Sequence, residues 1–271
     1  MGMPQPFGRY LGILGLAAGP PDLEQLRALV AAQLMRVPFE NVSKLYLKKR
    51  FGATSAPTLE EHLDGIERFR FGGTCYANNP HFYALLRQLG YDVALCGADM
   101  SRPDVHVVSI VRLGAREHLV DVGYGAPFYG PLPRDLESDF EIRFGDCRYV
   151  LSPRDEAGRS RLEVFRGGRD LHGYLAKPVP REIGEFQTVI ADSYRETATF
   201  MNAVVVERFF LGRSVRIHNL SVTESTPDGA TTTRLEDRDA LIQAIEAHAG
   251  IPADVVREAT EGVRLDADLY G

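Results

Sequence analysis

The chain has little cysteine, no excess of positive charge and no long apolar run, and each absence removes a class of protein. Its three cysteines, Cys75, Cys96 and Cys147, are odd in number and widely spaced in 271 residues. That fits neither the disulfide framework of a secreted domain nor a zinc site. They read as reduced thiols in a cytoplasmic protein that needs no metal. With 31 Lys+Arg against 37 Asp+Glu and a net charge of -6, the chain lacks the basic footprint that neutralises phosphates in nucleic-acid binding. No stretch approaches the ~18 apolar residues of a membrane span. The apolar run from Leu11 to Ala18 is broken by two glycines and reads as an ordinary helix or turn rather than the centre of a signal peptide. Neither a Walker motif nor a dinucleotide fingerprint is present, and no internal repeat appears.

What remains, 44% apolar and 25% charged residues, is the composition of a folded globular chain long enough to enclose a large core without staples. Periodicity divides it. Asp22 with Gln25 resembles a capping box, and Leu23, Leu26, Leu29, Val30 and Leu34 follow at helical spacing until Pro38, which predicts a helix over about 22–35. Thr58 with Glu61 opens a second helix, with Leu59, Leu63 and Ile66 on one face. After Gly72-Gly73 a third runs from about 75, with Phe82, Leu85, Leu86 and Leu89 as its stripe and Gly90 at its end.

Past Tyr91 the texture changes to β-branched runs. Segments 91–97, 105–113, 116–122, 140–151, 160–166 and 185–190 read as strands, then two more over 203–210 and 215–222. Leu241, Ile242 and Ile245 mark a closing helix that stops at Gly250, and a shorter one follows Pro252. The segments 153–160 and 226–231 read as surface loops. The expected architecture is α+β: a helical part over 1–90, a sheet or barrel over 91–195 and a mixed α/β end over 196–271.

Cys75 stands two residues after a Gly-Gly pair, at the start of the best-patterned helix. There, unpaired backbone N–H groups and the positive end of the helix dipole favour a thiolate. The plain alternative is a small buried apolar residue, which is how Cys96 and Cys147 read. A nucleophilic thiol needs a base, and the base needs an orienting group. One pair is placed by the chain itself. A hairpin closing on Gly114-Ala115 pairs residues whose numbers sum to 229, which sets Asp121 opposite Val108, on the face that also carries His106. The two then lie ~7–8 Å apart at the backbone, within side-chain reach. A one-residue slip would send Asp121 to the other face, and a half-buried structural His106 with Asp121 as a turn residue is the competing reading. His62 and His248 read as solvated, His172 as a loop residue, and His81, six residues past Cys75, as out of reach of the thiol.

Taken together, Val37-Pro38-Phe39-Glu40-Asn41, Gly72-Gly73-Thr74-Cys75-Tyr76, Leu89-Gly90-Tyr91, His106 and Val120-Asp121-Val122-Gly123-Tyr124-Gly125 resemble the arylamine N-acetyltransferase family in order and spacing. The likeness covers the first 130 residues well and the rest weakly, where Ala198-Thr199-Phe200 followed by Arg208 resembles the entry to the family's third domain. It implies a helical bundle (1–90) carrying the nucleophile, a central antiparallel β-barrel (91–195) and a C-terminal α/β lid (196–271), around a triad of the cysteine-protease and transglutaminase type.

The same likeness implies ping-pong transfer of an acetyl group from acetyl-CoA, through a thioester on Cys75, to an arylamine, hydrazine or hydroxylamine. His106 would be the base and Asp121 its orienter. Phe39, Tyr124 and Phe200 would line the acceptor cleft, and Gly125 would lie where the acyl group and pantetheine arm approach. An amide synthase using a carrier-bound or longer acyl donor, and a Cys-His-Asp hydrolase, are the competing activities. Two positions depart from the family pattern: Phe71 stands where the family has arginine, and Ala77 where a polar residue follows Cys-Tyr. An unpaired buried carboxylate is costly, so Arg70 or Arg68 is expected to reach Glu40 instead.

Overall fold

The computed structural model describes residues 5–266. Five helices come first: α1 (Gln5–Leu14), α2 (Leu23–Arg36), α3 (Val42–Phe51), α4 (Leu59–Phe69) and α5 (Cys75–Gln88), with a two-residue strand β1 (Phe39–Glu40) between α2 and α3. Thr58 and Glu61 form the reciprocal capping box as read; at the first helix Asp22 accepts from the Gln25 backbone N–H, but the Gln25 side chain donates to the Ala17 carbonyl instead of returning to the cap. Helix α3 was not anticipated. Its buried apolar residues, Val42, Leu45 and Tyr46, stand among buried Ser43 and Lys44, and the run Lys48-Lys49-Arg50 hides them further.

Eight antiparallel strands follow: β2 (Asp92–Asp99), β3 (His106–Leu113), β4 (Arg116–Val120), β5 (Leu132–Pro133), β6 (Phe140–Phe144), β7 (Cys147–Leu151), β8 (Ser160–Arg166) and β9 (Arg169–Pro180). They form a nearly closed barrel in the order β5-β4-β3-β2-β9-β8-β7-β6. The β3–β4 hairpin has the register read from the sequence, with Ser109 opposite Val120 and Leu113 opposite Arg116. Segment 140–151 is a hairpin turning at Gly145 rather than one strand. Segment 185–190 is not a strand: Ile183–Phe186 is a 3-10 turn leading into α6 (Gln187–Asp192). Its two fully covered side chains, Phe186 and Ile190, are four residues apart, which is helical rather than alternating spacing.

The closing part holds β10 (Val205–Phe210), β11 (Arg213–His218), β12 (Ser221–Thr226), β13 (Gly229–Arg234), α7 (Arg238–Ala249) and α8 (Ala253–Thr260). Strand β1 joins β10 at the edge of this sheet, so Phe39 lies opposite Glu207. Much of segment 226–231, read as a loop, belongs to strands β12 and β13, whose exposed Thr-rich face carries no apolar alternation.

Three apolar contacts hold these parts together. Leu26, Leu29, Phe82, Leu85 and Leu86 of the helices pack onto Val111 and Val120 of the barrel. Inside the barrel, Val108, Leu119, Phe128, Leu162 and Tyr174 meet. Elsewhere α3, α7 and α8 cover the inner face of the second sheet through Leu45, Tyr46, Ile242 and Val256. The first contact seats the start of α5 against the open end of the β3–β4 hairpin.

His62, read as solvated, is buried in α4, because its ring packs on Tyr10 and on His81 at a centroid distance of 4.7 Å. Burial pulls the pKa of His62 well down and that of His81 to about 4. The native state therefore keeps both rings neutral. Below the ordinary histidine pKa of about 6.5 the unfolded chain takes up protons that the folded chain refuses. Stability measured by urea unfolding should fall as pH drops from about 6.5 toward about 4, and a His62→Phe variant should show a shallower fall.

Candidate active site

Cys75 is the first residue of α5, and its N-cap Thr74 leaves the helix start without a side-chain cap. Two close approaches put it there. A side chain on Gly72 would collide with the Pro38 carbonyl oxygen at 1.8 Å, and one on Gly123 would meet the Cys75 Cα at 2.8 Å. Only glycine allows the loop after β4 to lie directly on the helix start.

His106 opens β3 on the barrel side of the strand, and its Nε2 lies 2.8 Å from Asp121 Oδ2, both groups being buried. The Cys75 thiol meets the imidazole as a hydrogen-bond and charge neighbour. Burial alone would lower the imidazole pKa, but the charge and hydrogen bond of Asp121, with the contact to Cys75, raise it to about 10. The ring thus holds a proton at neutral pH. Burial instead pushes the Cys96 thiol up to about 11 and raises Cys147, which leaves these two as inert apolar side chains.

Asp121 has further partners. Its Oδ1 accepts from Asn79 Nδ2 at 2.8 Å and from the Gly123 backbone N–H at 3.0 Å. Asn79 also donates to the Val107 carbonyl and accepts from the Val122 N–H. It was missed in the sequence, although it lies four residues after Cys75 and therefore on the same helix face.

The other predicted residues gather beside this line. The Tyr124 ring lies 5.4 Å from His106, and its hydroxyl is bonded to His172. Phe39 meets Phe200 edge to face at 5.9 Å, and Gly125 backs onto the Phe39 ring. Asn41 ties the segment holding Phe200 to β1, donating to the carbonyls of Phe200 and Ala203 and accepting from the Val205 N–H. His172, read as a loop residue, is in β9, and Tyr174 beside it stacks on His106 at 4.9 Å. Gly173, Pro178 and Pro180 disguise that strand in the sequence.

The expectation that a cation reaches Glu40 is overturned. Glu40 is fully buried, and its carboxyl accepts from the backbone N–H groups of Ser43 at 2.8 Å and Gly72 at 2.9 Å. Arg70 instead ends α4 in a left-handed conformation, and Phe71 turns into the core against Phe69 and Tyr46. Donors at the start of α3 do what a guanidinium would do, although burial still raises the Glu40 pKa.

The family model described as N-acetyltransferase matches residues 22–256. The chain belongs to the arylamine N-acetyltransferase family. The arylamine N-acetyltransferase of Mycolicibacterium smegmatis is 29% identical over 246 residues, covering 82% of this chain and 86% of its own. N-malonyltransferase FDB2 of Fusarium pseudograminearum is 32% identical over 269 residues, with coverages of 90% and 76%. Among solved structures, the arylamine N-acetyltransferase of Nocardia farcinica superposes with a TM-score of 0.80 at 25% identity, over 96% of this chain and 95% of its own. Among the described residues there is no cluster of side chains suited to a metal ion, and no helix is long and apolar enough to cross a membrane.

Replacing Asn79 by Ala leaves the Val122 N–H without its partner and takes one of two donors from Asp121 Oδ1. Urea unfolding should show a loss of about 2 kcal/mol, and iodoacetamide should alkylate Cys75 more slowly than in the parent chain.

Proposed function

We propose that Cys75, His106 and Asp121 are the nucleophile, base and orienting acid of a ping-pong acyltransferase that moves acetyl from acetyl-CoA to an arylamine, hydrazine or hydroxylamine. The observation that carries the reading is the unbroken contact from Asp121 through His106 to a thiol at a helix N-terminus. In the first half-reaction the Cys75 thiolate bonds to the acetyl carbon and the bond to the coenzyme A sulfur breaks. The departing thiolate takes the His106 proton.

In the second half, the amine nitrogen attacks the thioester carbon and His106 accepts the proton it sheds. The bond to Sγ then breaks, restoring the thiolate and imidazolium and releasing the amide. Thioester exchange is nearly balanced in energy, and amide formation draws the sequence forward. Asp121 selects the tautomer that points the other ring nitrogen at sulfur.

Phe39, Phe200 and Tyr124 would form the aromatic side of the cleft and hold the acceptor ring, while Gly125, whose missing side chain lets the Phe39 ring pack close, would lie where the acyl group and pantetheine arm approach. The division into bundle (1–90), barrel (91–195) and lid (196–271) belongs to the same reading, since the lid supplies Phe200. Three free thiols support placement in the cytoplasm.

Acetyl-CoA should label the chain once, at Cys75, within one turnover, and Cys75→Ala should abolish the label. In Asp121→Asn the labelling rate should drop by roughly 10³–10⁴-fold. Stoichiometric hydrolysis of acetyl-CoA despite saturating arylamine would replace this reading with a hydrolase.

A further inference from the structure

Both positions that depart from the family pattern, Phe71 and Ala77, are walls of one cavity. It measures about 50 Å³ and lies between α3, α4 and the first turn of α5, with Lys44 and His62 among its other walls. Lys44 is 7% exposed, and no carboxylate among the described residues pairs with it. Its Nζ donates to Ser193 Oγ at 2.6 Å and sits 4.2 Å from the centre of the Tyr194 ring, which offsets only part of what an ammonium loses on leaving water.

A second donor faces the same space. His62 is 4% exposed and its Nε2 has no partner; burial keeps the ring neutral, with one N–H to give. The start of α5 adds to the field, because Thr74 makes no side-chain cap and, with Ala77 of the first turn, borders the cavity, which turns the positive end of the helix dipole toward it. The one acid on the wall, Glu61, is committed to the Thr58 backbone N–H and hydroxyl. The Tyr76 and Tyr194 hydroxyls donate to the carbonyls of Asp104 and Ser55.

The cavity thus joins a buried cation and an unpartnered N–H with no acid to answer them. A buried water takes up roughly 10–15 Å³ on this scale, so about four heavy atoms fit. One ammonium balances one negative charge, which excludes a dianion. A carboxylate offers an oxygen to each donor, whereas a halide must serve both from a single centre. We propose that this cavity binds a small monocarboxylate of formate or acetate size, its oxygens paired with Lys44 Nζ and bonded to His62 Nε2–H, in the room that a longer side chain at position 77 would fill. Cys75 is not among the walls. The site is separate from the thiol, and the inference stands without the acyltransferase reading.

Titration calorimetry and the heat-unfolding midpoint of the full chain read the binding, with ionic strength held constant by gluconate, a carboxylate too large for the cavity. Formate and acetate should bind with a dissociation constant of roughly 1–10 mM and raise the midpoint to a plateau, and chloride should do neither. Lys44→Met should weaken formate binding by at least about tenfold. Ala77→Glu, which supplies the carboxylate from the chain itself, should abolish it and unfold at a higher midpoint than the ligand-free parent. No saturable binding of formate or acetate to the unmodified chain below about 100 mM overturns the inference even where the variants fail to fold. Undiminished binding in folded Lys44→Met or folded Ala77→Glu overturns it too, and chloride matching formate overturns the assignment to a carboxylate.

Discussion

Asp121 is an ionisable group removed from water at the meeting point of helix, barrel and loop, and its solvation has been rebuilt from protein donors. His106, Asn79 and the Gly123 N–H occupy its two oxygens. Removing a partner from such a group leaves a buried charge exposed to a low dielectric, so the three donors and the elements that carry them have little freedom to move apart. The β3–β4 register, the glycine after β4 and the second turn of α5 are each fixed by the same carboxylate. The sulfur inherits its position from them, since Cys75 and Asn79 ride on one helix face.

That constraint explains which parts were legible in the sequence. A hairpin register follows from period-two geometry and a turn length, so His106 and Asp121 could be placed together before any coordinates existed. Helix starts at Asp22 and Thr58 were readable because capping is local chemistry. What escaped reading depends on contacts distant in sequence. Strand β9 carries a glycine and two prolines and is held as a strand by pairing on both sides, with β2 and β8. Segment 185–190 has β-branched residues, yet the spacing of Phe186 and Ile190 decides for a helix. Among the side chains, His172 and Tyr174 were hidden with their strand, whereas Asn79 was available from spacing alone.

Glu40 shows how one substitution is absorbed. With Phe71 where the family pattern has arginine, the carboxyl is held by the Ser43 N–H at the start of α3 and by the Gly72 N–H. An aromatic ring then fills the space beside it, against Tyr46. The polar role and the packing role have been divided between neighbouring residues, and the helix that carries Cys75 keeps its seat. Lys44, one turn further along α3, faces the opposite situation: it has a hydroxyl and a ring for company but no acid.

Asn41 reaches backbone groups 159 to 164 residues further along the chain. The aromatic wall at Phe39 and Phe200 is therefore a product of late assembly. A nascent polypeptide emerging from the ribosome displays the thiol, imidazole and carboxylate well before the segment that encloses them has been synthesised. Until the last sheet captures the asparagine, the thiol lacks the aromatic wall that stands beside it in the folded chain.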